Sequence, residues 1–388
     1  MKKFNIFIFS SSRSDFDLLL PVIKKIEKKR FIKSTLIVSG THLSKTYGKT
    51  INYIKSKNIK LIKKINIQCE NVKEKNISLV VSKAQLLFSK YLKKIKKNLD
   101  LSIVLGDRYE ALAFVMACFF NNIPIAHIHG GEKTNGSKDD VIRHAITKLS
   151  NLHFVSNEIH KNRVINMGEN PKFVYNIGLL GYENLSKINF IKKKNLINKL
   201  KINFDKKTII VSYHPVTTIS ENENISQFQE VLNALSVFKT YNVIFTAPNS
   251  DSGNLSLFKM IKNFLKKNNN SYFFNSLGQE LFFSIIKNSS IFLGNSSSGI
   301  LEVPFLQVPV LNIGDRQNGR FQFLKVSTVM PKKEIIIKKI KKIINNSNID
   351  NINKIYLPKN TSSLIVKYIL QNIKKKNYIA IKNKSFFD

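Results

Sequence analysis

The stretch LSIVLGDRYEALAFVMACFFNNIPIAHIHGGE, residues 101–132, decides the fold. It opens on a short apolar run, LSIVLG (101–106). A longer apolar segment, ALAFVMACFFNN (111–122), follows, and then a second short run, IPIAHIHGG (123–131). Short apolar runs bounded by Gly, Asp and Asn read as strands buried on both faces, and the segment between them has the length of a buried helix. Strand, helix and strand in that order form a crossover unit, so the two strands are parallel and helices cover the sheet.

The same alternation continues in both directions. Upstream, FNIFIF (4–9) reads as a strand, DLLLPVIKKIEKK (17–29) as a helix, STLIVSG (34–40) as a strand and 81–97 as a helix. Downstream, DDVIRHAITKLS (139–150) reads as a helix, and LHFVSN (152–157) and FVYNIG (173–178) as strands. A Lys/Asn-rich stretch near 185–206 leads to a second series: TIIVSYHP (208–215), YNVIFTAPN (241–249), SYFFNSLG (271–278), SIFLGNSSSG (290–299) and VPVLNIG (308–314). The expected class is α/β, with two Rossmann-like doubly wound domains facing a cleft. The first domain is expected over 1–180 and a second over 181–360. Residues 361–388 supply a last helix and a basic tail that frays.

Composition narrows the function. The chain has 388 residues, is 43% hydrophobic and carries a formal charge of +38. The lysines are scattered and fall between apolar residues, as in KKEIIIKKIKKIINN (332–346), like the solvated side of amphipathic helices. No RNA-binding, zinc-finger or basic-zipper signature is present, so a nucleic-acid partner is not expected. The two cysteines, Cys69 and Cys118, have no spacing motif, which fits a reducing compartment, and Cys118 reads as a core thiol. The amino-terminal apolar run is short and ends at Arg13 and Asp15, unlike a signal peptide. Asn121, Asn122 and Pro124 break the longest apolar segment, so no membrane partner is expected and the reading is cytoplasmic.

Ligands of open parallel sheets bind beyond the carboxyl ends of strands. Eight polar clusters fall at such ends: SSSRSDF (10–16), GTHLSKTYG (40–48, with His42), GDRYE (106–110), HGGE (129–132), YHPVT (213–217), APNSD (247–251), GNSSSGI (294–300) and IGDRQNGR (313–320). GNSSSGILEVP (294–304) reads as a polar turn into a helix whose N–H groups suit a phosphate. Ser296, Ser297 and Ser298 add hydroxyls there, and Gly299 permits close approach. Glu302 falls in that helix's first turn, facing ribose hydroxyls or the helix dipole. Asp107 follows a buried strand and Glu132 follows two glycines, so neither has a helix start to stabilise. Asp139 and Asp140 read equally as helix caps; Asp139 stands four residues before Arg143, and Asp140 four before His144. His127 and His129 are expected on one side of a strand. A metal site with Glu132 is discounted for want of further ligands. His214, before Pro215, suits a phosphate-binding or acid role. There is no Walker lysine, no G-x-G-x-x-G after the first strand and no G-x-S-x-G, so no nucleotide cofactor is expected.

SRSDFDLLLP, VSGTHLS, GDRYEALA, HIHGGE, DDVIRHAITKLSNLHFVSNE, RVINMGE, YHPVT, TAPNSD, GNSSSGILEVP and IGDRQNGR, in this order from about residue 4 to about 325, resemble the hydrolysing UDP-N-acetylglucosamine 2-epimerases of sialic and legionaminic acid synthesis. The resemblance implies a GT-B-like fold with a C-terminal helix packing back on the first domain, and a homodimer or homotetramer. It implies elimination of UDP across C1–C2 and hydration of the glycal to an N-acetylmannosamine-type sugar. UDP- or GDP-N,N'-diacetylbacillosamine is the alternative substrate, and a GT-B glycosyltransferase the alternative function. By motif, Asp107, Glu132 and Asp139 (or Asp140) are the acid/base residues. His214, Arg143 and Arg320 hold or protonate the diphosphate, and Arg13 approaches it. Ser297, Ser298, Gly299 and Glu302 bind phosphate and ribose, and His42 is also placed in the substrate set. The non-hydrolysing relatives carry a lysine soon after the first-loop arginine; here that neighbourhood holds Leu18.

Overall fold

The computed structural model describes residues 3–45, 48–67, 77–95, 99–135, 137–249, 251, 253–322, 324, 326–345, 357–373 and 375–388. The chain forms two compact units. One comprises Met1–Glu132, Asp139–Asn184 and Leu357–Asp388; the other comprises Lys133–Lys138 and Leu185–Tyr356.

In the first unit the strands are β1 (Phe4–Ser10), β2 (Ile32–Val38), β3 (Ile62–Lys64), β4 (Leu101–Leu105), β5 (Ile125–Ile128), β6 (Leu152–Val155) and β7 (Val174–Asn176). The helices between them are α1 (Arg13–Glu27), α2 (Ile51–Lys55), α3 (Ile77–Ile95), α4 (Tyr109–Phe120), α5 (Asp139–Leu149), α6 (Glu158–Asn166) and α7 (Leu180–Leu185). All strand pairs are parallel, in the order β3-β2-β1-β4-β5-β6-β7. Successive residues of a strand face opposite sides, which gives two cores. Ile6 and Ile8 pack in one layer with Phe16 and Leu19 of α1, while Phe7 and Phe9 pack in the other with Phe88 of α3 and Phe114 of α4.

The second unit holds α8 (Lys193–Leu200), β8 (Thr208–Ser212), α9 (Glu221–Leu235), β9 (Asn242–Thr246), α10 (Asn254–Lys267), β10 (Ser271–Phe274), α11 (Gly278–Lys287), β11 (Ile291–Gly294), α12 (Ser298–Leu301), β12 (Val310–Ile313), β13 (Ser327–Val329) and α13 (Lys333–Asn345). Its parallel sheet has the order β10-β9-β8-β11-β12-β13. Ile209 and Val211 face one core and Ile210 the other. Both sheets therefore start in the middle, run out to one edge and restart on the other side. The order reverses between β1 and β4 and between β8 and β11, where a parallel sheet opens a crevice at its carboxyl edge. The two parallel-sheet units meet the expected α/β class.

The first unit closes with α14 (Thr361–Asn372) and α15 (Lys375–Lys382). Ile365, Val366 and Ile369 of α14 join the core layer of Ile6 and Ile8. Buried Glu183 accepts from the Ser362 N–H at 2.5 Å and its hydroxyl at 2.6 Å, which pins the start of α14.

Local outcomes differ from expectation in four places. Helix α1 begins at Arg13 rather than 17, because Ser12 and Asp15 form a capping box. Strand β5 ends at Ile128 and His129 has φ 67°, so His127 and His129 do not share a strand face. The basic tail does not fray. Lys384 reaches the Ser150 carbonyl and Glu169 Oε2, the latter at 2.6 Å, and the Phe387 N–H donates to the Gly168 carbonyl at 3.1 Å. Phe386 lies over Gly168, where any Cβ would collide with its ring. Finally, α12 has four residues, and Glu302 follows it instead of opening it. Cys118 is buried and its thiol is pushed up to about 12 by that burial; Cys69 lies outside the described residues. No helix among the described residues is long and apolar enough to cross a membrane.

Candidate active site

The carboxyl edge of the first sheet gathers Asp107, Glu132, Asp140 and Arg143. Strand β4 ends in Gly106, whose φ of 80° suits glycine and turns the chain outward into Asp107. Helix α4 then starts, and Arg108 makes a two-pronged contact with the buried Glu110 carboxylate, both bonds at 3.0 Å. After β5 the chain runs through His129, Gly130, Gly131 and Glu132. Each glycine answers a close approach. A Cβ at 130 would stand 3.0 Å from Thr147 Oγ1, and one at 131 would stand 2.5 Å from the His160 carbonyl oxygen on α6. The Glu132 carboxylate lies 3.4 Å from His129 Nδ1. Arg163 donates to the Gly131 carbonyl.

Arg143 is the hub. Its side chain is 1% exposed. Nη2 pairs with Asp107 Oδ2, while Nη1 donates to the Glu132 carbonyl at 2.9 Å and to Asp140 Oδ1 at 3.2 Å. Burial works against the charge, but Asp107, Glu132 and Asp140 outweigh it and hold the guanidinium above its ordinary value. Asp140 is also 3.7 Å from His144 Nε2. These donors of Arg143 thus organise carboxylates. Asp140, three residues before Arg143, pairs with it, and Asp139 opens the same helix. Among the described residues no group of His, Cys, Asp and Glu is placed to hold a metal ion.

At the ends of β1 and β2, Arg13 stacks over Tyr53 at 4.3 Å and pairs with Asp17 at 3.6 Å, keeping 27% of its side chain exposed. Asp15 takes the Ser12 N–H at 3.0 Å, so a carboxylate already sits where a phosphate would meet the start of α1. His42 is fully buried. Its Nε2 is 2.9 Å from Ser10 Oγ and its Nδ1 is 2.7 Å from Thr50 Oγ1, and burial pushes it down to about 3. With both nitrogens engaged, His42 braces the loop.

The second unit gathers His214, Ser297, Ser298 and residues 316–320 at the carboxyl edge of its own sheet. The Asn249 N–H donates to His214 Nδ1 at 3.1 Å, and burial pushes the ring down to about 3. The imidazole is therefore neutral with its proton on Nε2, a donor and not a resting acid. Asn295 clamps His214 from both sides, accepting its N–H at 2.7 Å and donating to its carbonyl at 2.9 Å. Ser297 and Ser298 are half-buried at the start of α12. A Cβ at Gly299 would stand 2.9 Å from the Phe292 ring, so glycine here allows close helix–sheet packing. Arg320 Nη2 donates to Thr134 Oγ1 at 3.2 Å. Sequence reading overlooked Arg316, which donates to the Pro215 and Asn295 carbonyls at 3.1 and 3.2 Å and pairs with Asp251 at 3.3 Å. Its signal was available: it is the other arginine of GDRQNGR.

The sequence profile described as UDP-N-acetylglucosamine 2-epimerase matches residues 24–370. The chain belongs to that family. Among curated relatives, the epimerase is 37% identical over 323 residues to the GDP/UDP-N,N'-diacetylbacillosamine 2-epimerase (hydrolyzing) of Campylobacter jejuni, covering 83% of each chain. It is also 37% identical to the polysialic acid biosynthesis protein P7 of Escherichia coli, covering 88% of this chain and 85% of that one. In fold, the epimerase resembles the crystal structure of UDP-GlcNAc 2-epimerase from Neisseria meningitidis bound to UDP-GlcNAc, with TM-score 0.77, 22% identity and coverage of 96% of this chain and 100% of that one.

Proposed function

We propose that this epimerase is of the hydrolysing kind and acts on a nucleoside-diphosphate 2-acetamido sugar. A carboxylate removes the C2 proton as the C1–O bond to the nucleotide breaks, leaving a glycal and the free diphosphate. Water then supplies hydroxide to C1 while a proton reaches C2 from the opposite face, which releases an N-acetylmannosamine-type sugar. Inversion at C2 needs acid/base groups on two faces of the ring, so more than one carboxylate is required. The observation that carries the reading is three carboxyl-bearing residues, Asp107, Glu132 and Asp140, fixed by one buried guanidinium at the carboxyl edge of a parallel sheet.

In this reading Asp107 and Glu132 are acid/base residues. Asp139, at the start of α5, is the third, with Asp140 as its alternate. The His214 Nε2–H, Ser297, Ser298 and Arg320 hold the diphosphate, and Glu302 the ribose. Arg13 is a further diphosphate contact, and His42 supports its loop. The enzyme works without a metal or organic cofactor, in the cytoplasm, as a homodimer or homotetramer, and feeds sialic or legionaminic acid synthesis.

UDP-N-acetylglucosamine is one substrate. UDP- or GDP-N,N'-diacetylbacillosamine is the second, favoured by the name of the C. jejuni relative. Proton and phosphorus NMR in deuterated water, with each nucleotide in turn, tests both. Free nucleoside diphosphate with a C2-deuterated free sugar supports the reading and identifies the substrate. No turnover with any of the three overturns it and favours a glycosyltransferase.

A further inference from the structure

His127 has no part in the chemistry above, yet it sits at the centre of β5 among Ile125, Ala126 and Ile128, fully buried. A buried imidazole needs defined partners for both nitrogens. Nε2 lies 2.8 Å from the Gly106 carbonyl, which only accepts, so Nε2 carries the proton. Nδ1 is then the acceptor, and the Thr147 hydroxyl stands 3.2 Å away on α5. That hydroxyl is also 3.0 Å from the Arg143 carbonyl and shares its one hydrogen between the two. Burial keeps the ring neutral, pushing it down to about 3. The titratable and charged groups facing it are His153 on β6, Arg143 on α5 and Asp107 beyond β4.

The ring thus joins two elements. On one side is the turn leaving β4, where Gly106 is gripped twice: its carbonyl by His127 and its N–H by the Ile128 carbonyl at 3.1 Å. On the other is α5. One residue past Gly106 is Asp107; one helical turn before Thr147 is Arg143, and these two pair. Gly130 keeps the space open, because a Cβ there would stand 3.1 Å from His127 Nδ1 and 3.0 Å from Thr147 Oγ1.

We infer that His127 is a positioning residue, a buried strut between the β4 exit and α5 that sets Asp107 against Arg143. This rests on the reading of Asp107 as an acid/base group. A displacement of about 1 Å at a reacting group costs about 100-fold in rate. The diphosphate donors of the second unit are untouched, so nucleotide affinity should hold while the chemistry suffers.

The test compares wild type, His127→Leu and His127→Gln by NMR, reading kcat, KM and the fraction of turnovers that release glycal in place of the hydrated sugar. That fraction is a ratio within turnovers, so partial unfolding does not move it. His127→Leu should lower kcat about 10- to 100-fold with KM within about threefold, and raise the glycal fraction. His127→Gln, whose amide N–H can still reach Gly106, should recover most of the loss. Wild-type kcat and glycal fraction in His127→Leu, or equal damage in both variants, overturns the strut. Should His127→Leu fail to fold, Gly130→Ala crowds the same link and should raise the glycal fraction; an unchanged fraction overturns the strut. If wild type turns over none of the sugar nucleotides, the functional reading fails while the strut remains testable by nitrogen NMR of labelled histidine. An Nε2–H ring signal that is present in wild type from pH 8 to pH 5 and missing from His127→Gln supports it, and a His127 signal of the other tautomer, or one that titrates across that range, overturns it.

Discussion

Arg143 holds Glu132 by its main chain: Nη1 donates to the Glu132 carbonyl at 2.9 Å, and the same nitrogen reaches Asp140. One cation therefore fixes both the position of residue 132 and the charge balance around it. Replacing it with Met keeps the volume but leaves Asp107 and Asp140 without a counter-charge. The expected loss is about 3 kcal/mol of stability, typical for removing one partner of a buried pair. Urea unfolding measures it, and a loss under about 1 kcal/mol would show that water already screens these carboxylates.

Asp107→Asn keeps shape and removes a carboxylate proposed for acid/base work. Turnover should fall by at least about 100-fold, the usual contribution of a positioned acid or base. The affinity for free UDP, measured by calorimetry, should stay within about threefold of wild type if the second unit supplies the diphosphate donors. Unchanged turnover would remove Asp107 from the chemistry.

His214→Ala removes a neutral Nε2–H donor and also leaves the Asn249 N–H without its acceptor. UDP should bind about tenfold more weakly, consistent with losing a hydrogen bond to a charged group. Because the ring is already neutral, any step in UDP affinity near pH 6.5 should come from the terminal phosphate of UDP itself and persist in His214→Ala. A step present in wild type and missing from His214→Ala would mean the ring titrates in the accessible range.

Stability should fall with acid through the buried histidines. His42, His127 and His214 are held near 3 and His160 near 4, each by burial, against about 6.5 when unfolded. The unfolded chain thus binds more protons below pH 6.5, so the stabilisation is complete above that value and is lost as pH falls toward 4. Each such histidine contributes a slope of up to about 1.4 kcal/mol per pH unit in that window. Denaturation at pH 7, 6 and 5 measures it, and a flat profile would mean that these rings are hydrated.

Gly294 has φ 140°, and a Cβ there would lie 2.0 Å from the Ser212 carbonyl oxygen. Gly294→Ala should prevent β11 from pairing with β8, and the cooperative unfolding transition of the second unit should disappear. A folded variant with ordinary stability would show that the strands separate without penalty.

Most strands were legible because buried parallel strands are short apolar runs, and LSIVL or TIIVS admits little else; the three-residue strands β3 and β13 and the order within each sheet were not. The polar residues at strand ends were legible for the same reason: a carboxylate such as Asp107 has no place inside such a run. Roles set by distant partners were not legible. Helical spacing offered Asp139 to Arg143, but it could not show that the guanidinium also turns to Asp107, 36 residues upstream. Nor could it show that Ser10 and Thr50 flank the nitrogens of His42, or that the Phe292 ring lies behind Gly299. Nothing local told Lys384 that Glu169 was waiting for it.

Helix α14 fills a layer that Ile6 and Ile8 begin, yet the whole second unit lies between them in the chain. On a ribosome, the first seven strands emerge with that layer still open, and the helix that covers it arrives only after Leu185–Tyr356 have been made. Closing so long a loop is entropically cheap once the chain is free, because the cost grows only with the logarithm of length. The delay is kinetic: apolar surface stays uncovered for the time of that synthesis, the condition under which nascent chains recruit chaperones. Order of synthesis thus places a demand on folding that net stability does not measure.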